Sequence, residues 1–324
     1  MLKNKEDIAV FALTANVGMA EKIVKELDIP LGKIKVNHFA DGEILVQPQE
    51  SVRGKHVFII QSTCSPVSEH LMEILITLDA LKRASADEIT CVIPYYGYAR
   101  QDRKADARQP ITSKLVADML TVAGADRVVV FDLHAPQIQG FFNIPIDDMS
   151  AVALLAHHIK KRALEDMVVV SPDHGGANRA RRLAEYIGPD TPIAIIDKRR
   201  TAPNVAEALA IIGDVKDKNC VIVDDIVDTG GSLCGAIKML KSNGAKNVYC
   251  ICTHGLLSGK AVERLEEAGL KKLIMTDSVP LAEEKKRPWI EVVSISHMIS
   301  KMIEAIMNHS SMARVYEEYN GTNN

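Results

Sequence analysis

Short apolar runs rich in β-branched residues recur along the chain: Val57 to Ile60, Ile89 to Ile93, Val128 to Phe131, Val168 to Val170, Ile193 to Ile196, Val221 to Val223 and Val248 to Ile251. Each is too short for a globular helix and carries no polar alternation, as expected of strands covered on both faces. Segments of helical period separate them. Leu233, Ile237 and Leu240, for example, recur at helical spacing behind Val221 to Val223. This rhythm predicts an α/β fold with mainly parallel sheets flanked by helices. Past Pro288, Ile295, Met298, Ile299, Met302 and Ile306 keep a helical period, so this tail is expected to pack against the core.

The pattern also repeats. Val52-Arg-Gly-Lys-His-Val-Phe-Ile-Ile-Gln-Ser aligns with Val215-Lys-Asp-Lys-Asn-Cys-Val-Ile-Val-Asp-Asp, and each is followed by a loop, a helix and a strand holding Cys91 or Cys250. This reads as a duplicated α/β unit, with chance similarity between two strand and helix units as the alternative. The junction is expected near Asn143 to Ser150. The predicted domains are 1–148, completed by part of 290–306, and 149–289, completed by 307–324.

The second copy carries the chemistry. Asp224 and Asp225 follow an apolar strand, and Asp228, Thr229, Gly230, Gly231 and Ser232 lead into a helix. Glycines let backbone amides approach an anion, and a helix N-terminus adds partial positive charge, so a phosphate monoester fits there. Ionised Asp224 and Asp225 can only accept hydrogen bonds, which the vicinal hydroxyls of a ribose can donate. Both acids reach one ligand only if the strand ends at Val223, because successive strand residues face opposite sides. A turn with helix-capping acids is the alternative. In the first copy Gln61 and Ser62 replace the acids, and Ser65-Pro66-Val67-Ser68 replaces the glycine turn, so that copy lacks the phosphate-binding chemistry.

Ligands of open α/β sheets gather at the carboxyl ends of strands. There the chain places Arg100 and Gln101, then His134, Asp173, and Lys198 with Arg200. Arg100, Gln101, Lys198 and Arg200 supply donors for a polyphosphate, and His134 with Asp173 could hold a divalent ion such as Mg2+. A structural histidine and a solvated basic loop are the alternatives. Phe39, Asp41, Gly42 and Glu43 offer a ring for stacking and carboxylates for ribose or base, or else form an exposed turn. Neither GxxxxGK[ST] nor GxGxxG occurs, so any ATP site is built without a Walker loop.

Composition narrows the classes. The 324 residues are 47% hydrophobic and carry a formal net charge of −3, which gives no footprint for nucleic acid or an anionic membrane. The six cysteines lack zinc-site spacing and several lie in apolar strand or helix contexts, as reduced thiols of a cytoplasmic protein do. No signal peptide or membrane-spanning stretch is evident.

Taken in order, Phe39-Ala-Asp-Gly-Glu-Ile, Pro94-Tyr-Tyr-Gly-Tyr-Ala-Arg-Gln-Asp-Arg-Lys, Asp132-Leu-His, Ser171-Pro-Asp-His-Gly-Gly, Asp197-Lys-Arg-Arg and Val223-Asp-Asp-Ile-Val-Asp-Thr-Gly-Gly-Ser resemble the ribose-phosphate diphosphokinase (phosphoribosyl pyrophosphate, PRPP, synthetase) family over nearly the whole chain. The resemblance implies two tandem phosphoribosyltransferase-like domains and Mg2+-dependent conversion of ATP and ribose 5-phosphate to AMP and PRPP. It also implies self-association, commonly as a homohexamer. Phe39, Asp41, Gly42 and Glu43 would meet ATP from a neighbouring subunit, with Arg100 and Gln101 also on the nucleotide. His134 and Asp173 match the metal positions, and Lys198 and Arg200 the catalytic loop. Arg200, Asp224, Asp225 and Asp228 to Ser232 match the ribose 5-phosphate site.

Two departures stand out. Thr201 and Ala202 replace the usual Pro-Arg of the catalytic loop, and Asp106-Ala107-Arg108 replaces an Arg-Ser-Arg common in phosphate-activated, ADP-inhibited members. A phosphoribosyltransferase and a catalytically silent regulatory subunit are the competing readings.

Overall fold

The computed structural model describes residues 5–199 and 208–319. Contacts divide the chain into a first unit, Met1–Ser150 with Ser278–Pro280 and Ser294–Val315, and a second, Ala151–Asp277 with Leu281–Val293 and Tyr316 onward.

In the first unit β1 (Ile8–Ala12), α1 (Val17–Leu27), β2 (Ile34–His38), β3 (Ile44–Pro48), β4 (His56–Ile60), α2 (Val67–Arg83), β5 (Glu88–Ile93), α3 (Thr112–Ala123), β6 (Arg127–Phe131) and β7 (Ile146–Met149) follow in order. β1, β4, β5, β6 and β7 form a five-stranded parallel sheet in that order, while β2 and β3 pair as a separate antiparallel hairpin. Val57, Phe58, Ile59 and Ile60 of β4 are at most 1% exposed, so both faces of the strand are covered. Each such side chain contributes roughly 1.5–3 kcal/mol through burial.

The second unit contains α4 (Val152–Lys160), β8 (Met167–Ser171), α5 (Ala177–Ile187), β9 (Ile193–Arg199), β10 (Ala208–Ile212), β11 (Asn219–Val227), α6 (Gly231–Ser242), β12 (Asn247–Gly255), α7 (Ala261–Glu267), β13 (Lys272–Thr276) and β14 (Ile290–Val293). Its seven-stranded sheet runs β10-β9-β8-β11-β12-β13-β14, parallel except for the β9–β10 pair. Helix α5 shows how the sequence sets a face: Ala180, Leu183, Ala184 and Ile187 recur every three or four residues and are buried, while the arginines between them point away from the core.

Strand register makes the duplication explicit. His56 pairs with Ile8 and Glu88, and Asn219 pairs with Met167 and Asn247. Counting outward from these triplets, Gln61 and Ser62 occupy the positions of Asp224 and Asp225. The order β1-β4-β5-β6-β7 in one sheet corresponds to β8-β11-β12-β13-β14 in the other.

Several expected boundaries move. Ile146–Met149, in the stretch taken as a junction, is a strand, because it pairs in parallel with Val128–Phe131 and closes the first sheet. Of 290–306, part of which was expected to complete the first domain, Ile290–Val293 pairs in parallel with β13 and so lies in the second sheet. The first unit instead takes 294–315, including α8 (Ser296–Met307), so 307–315 is not with the second unit as expected. Helix α8 buries Met298, Ile299, Met302 and Ile303, as its apolar period predicts. Among the described residues, no helix is long and apolar enough to cross a membrane.

Candidate functional site

The acid pair does not follow its strand; it lies within it. Asp224 and Asp225 are the sixth and seventh residues of β11, which continues to Val227. What ends before them is a neighbour: β8 pairs with β11 only through Ile222, whereas β12 pairs with it through Val227. One edge of β11 is therefore open at the acids, and Arg179 from the first turn of α5 enters there. Its Nη1 lies 3.3 Å from Asp224 Oδ1 and 3.2 Å from Asp225 Oδ1. Asp224 bends back so that its Oδ1 also accepts the Asp225 N–H at 2.9 Å. Both acids thus meet one cation although the strand has not ended.

The two carboxylates differ in environment. Asp225 is 6% exposed at its side chain, while Asp224 keeps 31% at the mouth. Burial, the hydrogen bond with Asp225 and the charge of Asp225 raise Asp224 to a pKa of about 8, against the pull of Arg179.

Past β11 the chain turns through Asp228, Thr229 and Gly230 into α6. Gly230 has φ +75°, left-handed backbone that favours glycine, whereas Gly231 does not have a positive φ. No side chain caps α6, so its first amides remain available to an anion. The loop is held from behind. The Ser258 N–H donates to the Asp228 carbonyl at 3.0 Å, and Arg264 Nη1 donates to the Thr229 carbonyl at 3.3 Å. Thr229 and Ser232 are exposed.

In the same unit Asp173 is exposed after β8, and its Oδ1 accepts the Gly176 N–H at 2.9 Å. The chemistry of an exposed carboxylate with a second oxygen suits a divalent cation. His174 Nε2 lies 2.8 Å from Oδ1 of buried Asp197, a pairing the sequence reading missed. Lys198 belongs to β9, where its backbone stands opposite Leu209. Arg200 lies outside the described residues.

In the first unit the corresponding strand end is closed by its own hydrogen bonds. Gln61 Oε1 accepts the Ala15 N–H at 2.9 Å, and Gln61 Nε2 donates to Glu73 at 2.7 Å. The Ser62 hydroxyl donates to the Ser278 carbonyl at 2.5 Å. No carboxylate stands where Asp224 and Asp225 stand in the second unit.

Phe39, Asp41, Gly42 and Glu43 form the tip of the β2–β3 hairpin. The Phe39 N–H donates to the Glu43 carbonyl, Asp41 Oδ1 accepts the Glu43 N–H at 3.1 Å, and the Phe39 ring is 53% exposed. Arg100 and His134 are exposed beyond β5 and β6. Gln101 is tied to the start of α3, its Oε1 accepting the Thr112 hydroxyl at 2.5 Å. Residues 39–43, 100, 101 and 134 lie in the first unit, and 173, 198, 224, 225 and 228–232 in the second. Among the described residues, one group of three ligand atoms close enough to share a metal is formed by His38, Glu69 and Glu73.

Comparison with known proteins gives a consistent picture. Residues 8–124 match the N-terminal domain of ribose phosphate pyrophosphokinase, and residues 174–317 match the phosphoribosyl synthetase-associated domain. Ribose-phosphate pyrophosphokinase 1 of Listeria monocytogenes is 51% identical over 96% of this chain and 97% of its own length. Ribose-phosphate pyrophosphokinase of Bacillus caldolyticus is 51% identical over 97% of this chain and 99% of its own. The crystal structure of phosphoribosylpyrophosphate synthetase from Mycobacterium smegmatis superposes with a TM-score of 0.89 at 43% identity, covering 94% of this chain and 100% of that one.

Proposed function

The chain belongs to the ribose-phosphate pyrophosphokinase family, and from that premise we propose that it transfers the diphosphoryl group of ATP to the C1 hydroxyl of ribose 5-phosphate, giving PRPP and AMP. The observation that carries this reading is the β11–α6 loop. An uncapped helix start behind Gly230 receives the 5-phosphate, and Asp224 and Asp225, on the strand that leads into that loop, accept the ribose hydroxyls.

The C1 oxygen then attacks the β-phosphorus and gives up its proton to solvent, the bond from that phosphorus to the α–β bridging oxygen breaks, and AMP leaves with that oxygen. Catalysis is chiefly alignment and neutralisation of charge. Lys198 and Arg200 supply cations toward the leaving phosphate. Arg100 and Gln101 bind the nucleotide, and Phe39 with Asp41, Gly42 and Glu43 reaches the adenine and ribose from an adjoining subunit of a homohexamer. His134 and Asp173 would hold Mg2+, which when bound would supply positive charge to the phosphate oxygens. Asp228 and Thr229 shape the loop, with Ser232 on the phosphate. The enzyme works in the cytoplasm, in keeping with free cysteines of which Cys64, Cys91, Cys220, Cys250 and Cys252 are buried.

Purified protein incubated with ATP, Mg2+ and ribose 5-phosphate should release AMP and PRPP in equal amounts, and Lys198→Ala should nearly abolish both. A folded protein that forms no AMP contradicts the proposal. Such a result would favour a phosphoribosyltransferase or a silent regulatory subunit.

A further inference from the structure

At the C-terminal end of β2, beside the hairpin tip, His38 Nε2 lies 3.0 Å from Glu69 Oε1 on the first turn of α2. One helical turn further on, Glu73 completes a group whose nitrogen and oxygen ligand atoms all lie within 4.8 Å of one another. His38 and Glu69 are 42% and 43% exposed at their side chains, whereas Glu73 is fully buried. The donors that reach the Glu73 carboxylate among the described residues are all neutral. Thr14 gives its hydroxyl at 2.8 Å and its N–H at 3.3 Å, and Gln61 gives its amide at 2.7 Å.

The buried carboxylate of Glu73, the carboxylate of Glu69 four residues earlier on the same helix face, and the imidazole of His38 beside Glu69 bring two oxygen ligands and one nitrogen ligand within 4.8 Å of one another. From this geometry we infer a second metal site, for a divalent transition metal of the zinc class, formed by His38, Glu69 and Glu73. An imidazole with two carboxylates favours such an ion over Mg2+, which prefers oxygen ligands and retains its water. Bonds of about 2.0–2.2 Å from zinc to nitrogen and oxygen require ligand atoms roughly 3.3 Å apart. The His38–Glu69 separation already meets this, and these two exposed side chains can close the remaining distance to fixed Glu73. Thr14 and Gln61 then orient the carboxylate from behind, as outer hydrogen bonds do for metal ligands. Water completes the coordination. Because Phe39 follows His38 directly, the ion would fasten the start of the hairpin tip to α2.

The test uses full-length protein stripped with chelator and kept in excess Mg2+. Co2+ should bind at one equivalent with the intense visible absorption of a tetrahedral site, and Zn2+ should displace it. His38→Gln and Glu69→Gln, both surface changes, should each weaken Zn2+ binding by roughly tenfold or more, while Asp173→Asn leaves it unchanged. The inference is overturned if no tetrahedral cobalt spectrum forms, or if either His38→Gln or Glu69→Gln binds Zn2+ with less than that loss. Neither result bears on the diphosphoryl transfer assay.

Discussion

Arg179 and Asp224 are 45 residues apart in sequence and 3.3 Å apart in space, and the same guanidinium nitrogen stands 3.2 Å from Asp225. One cation therefore screens two adjacent acids that would otherwise repel at the open edge of β11. On the proposed function Arg179 would be a positioning residue: it holds both carboxylates that would meet the sugar. Arg179→Ala takes the cationic partner from buried Asp225 and from Asp224 beside it, and a cost of about 1–3 kcal/mol is expected. Thermal unfolding should show the lower stability, and steady-state kinetics should show KM for ribose 5-phosphate raised more than KM for ATP. Arg179→Lys should recover part of the stability but less of the KM, since an ammonium on a differently shaped stem does not take the place of the single guanidinium nitrogen that meets both carboxylates. Equal effects on both KM values would mean that the arginine only stabilises the fold.

The raised pKa of Asp224 makes a signed prediction. Its value of about 8 in the folded protein lies above the ordinary 3.8, so the folded state keeps a proton that the unfolded chain releases. Between those two values stability falls as pH rises, and above about 8 the loss is complete. Asp224→Asn removes this penalty. The melting temperature of the variant relative to the parent should therefore climb from pH 5 to about pH 8 and level off above it. A difference that stays flat over that range would show that Asp224 is ionised throughout.

How much of this was readable beforehand follows from range along the chain. Strand β11, the acids and the glycine loop are contiguous, and the apolar run and the glycines announce them locally. Arg179 was not legible, because Arg179, Arg181 and Arg182 look alike in sequence. Only the phase of α5, with Ala180, Leu183, Ala184 and Ile187 turned inward, sets Arg179 at the edge facing β11. The extent of β11 was misjudged for a related reason. Aspartates in mid-strand oppose β propensity, yet continued pairing with β12 carries the strand past them. Strands β2, β3, β7 and β14 escaped the search for continuous apolar runs because they are half-covered or at an edge, and residues such as Lys35, Asp147 and Glu291 interrupt them.

The two glycines of the loop, alike in sequence, should separate in experiment. Gly230 has φ +75°, and a Cβ there would stand 3.4 Å from Leu265 Cγ. Gly230→Ala should cost roughly 1–2 kcal/mol for left-handed backbone and also raise KM for ribose 5-phosphate, since the loop must shift. Gly231 begins α6, and a Cβ there meets nothing nearer than Thr229 Oγ1 at 3.9 Å. Gly231→Ala should leave the melting temperature within a degree or two, because alanine favours helix over glycine. Its KM for ribose 5-phosphate should nevertheless rise severalfold if the phosphate rests against the bare backbone at this point. Both KM and melting temperature unchanged in Gly231→Ala would move the phosphate away from the helix start. The sugar would then be held chiefly by Asp224 and Asp225.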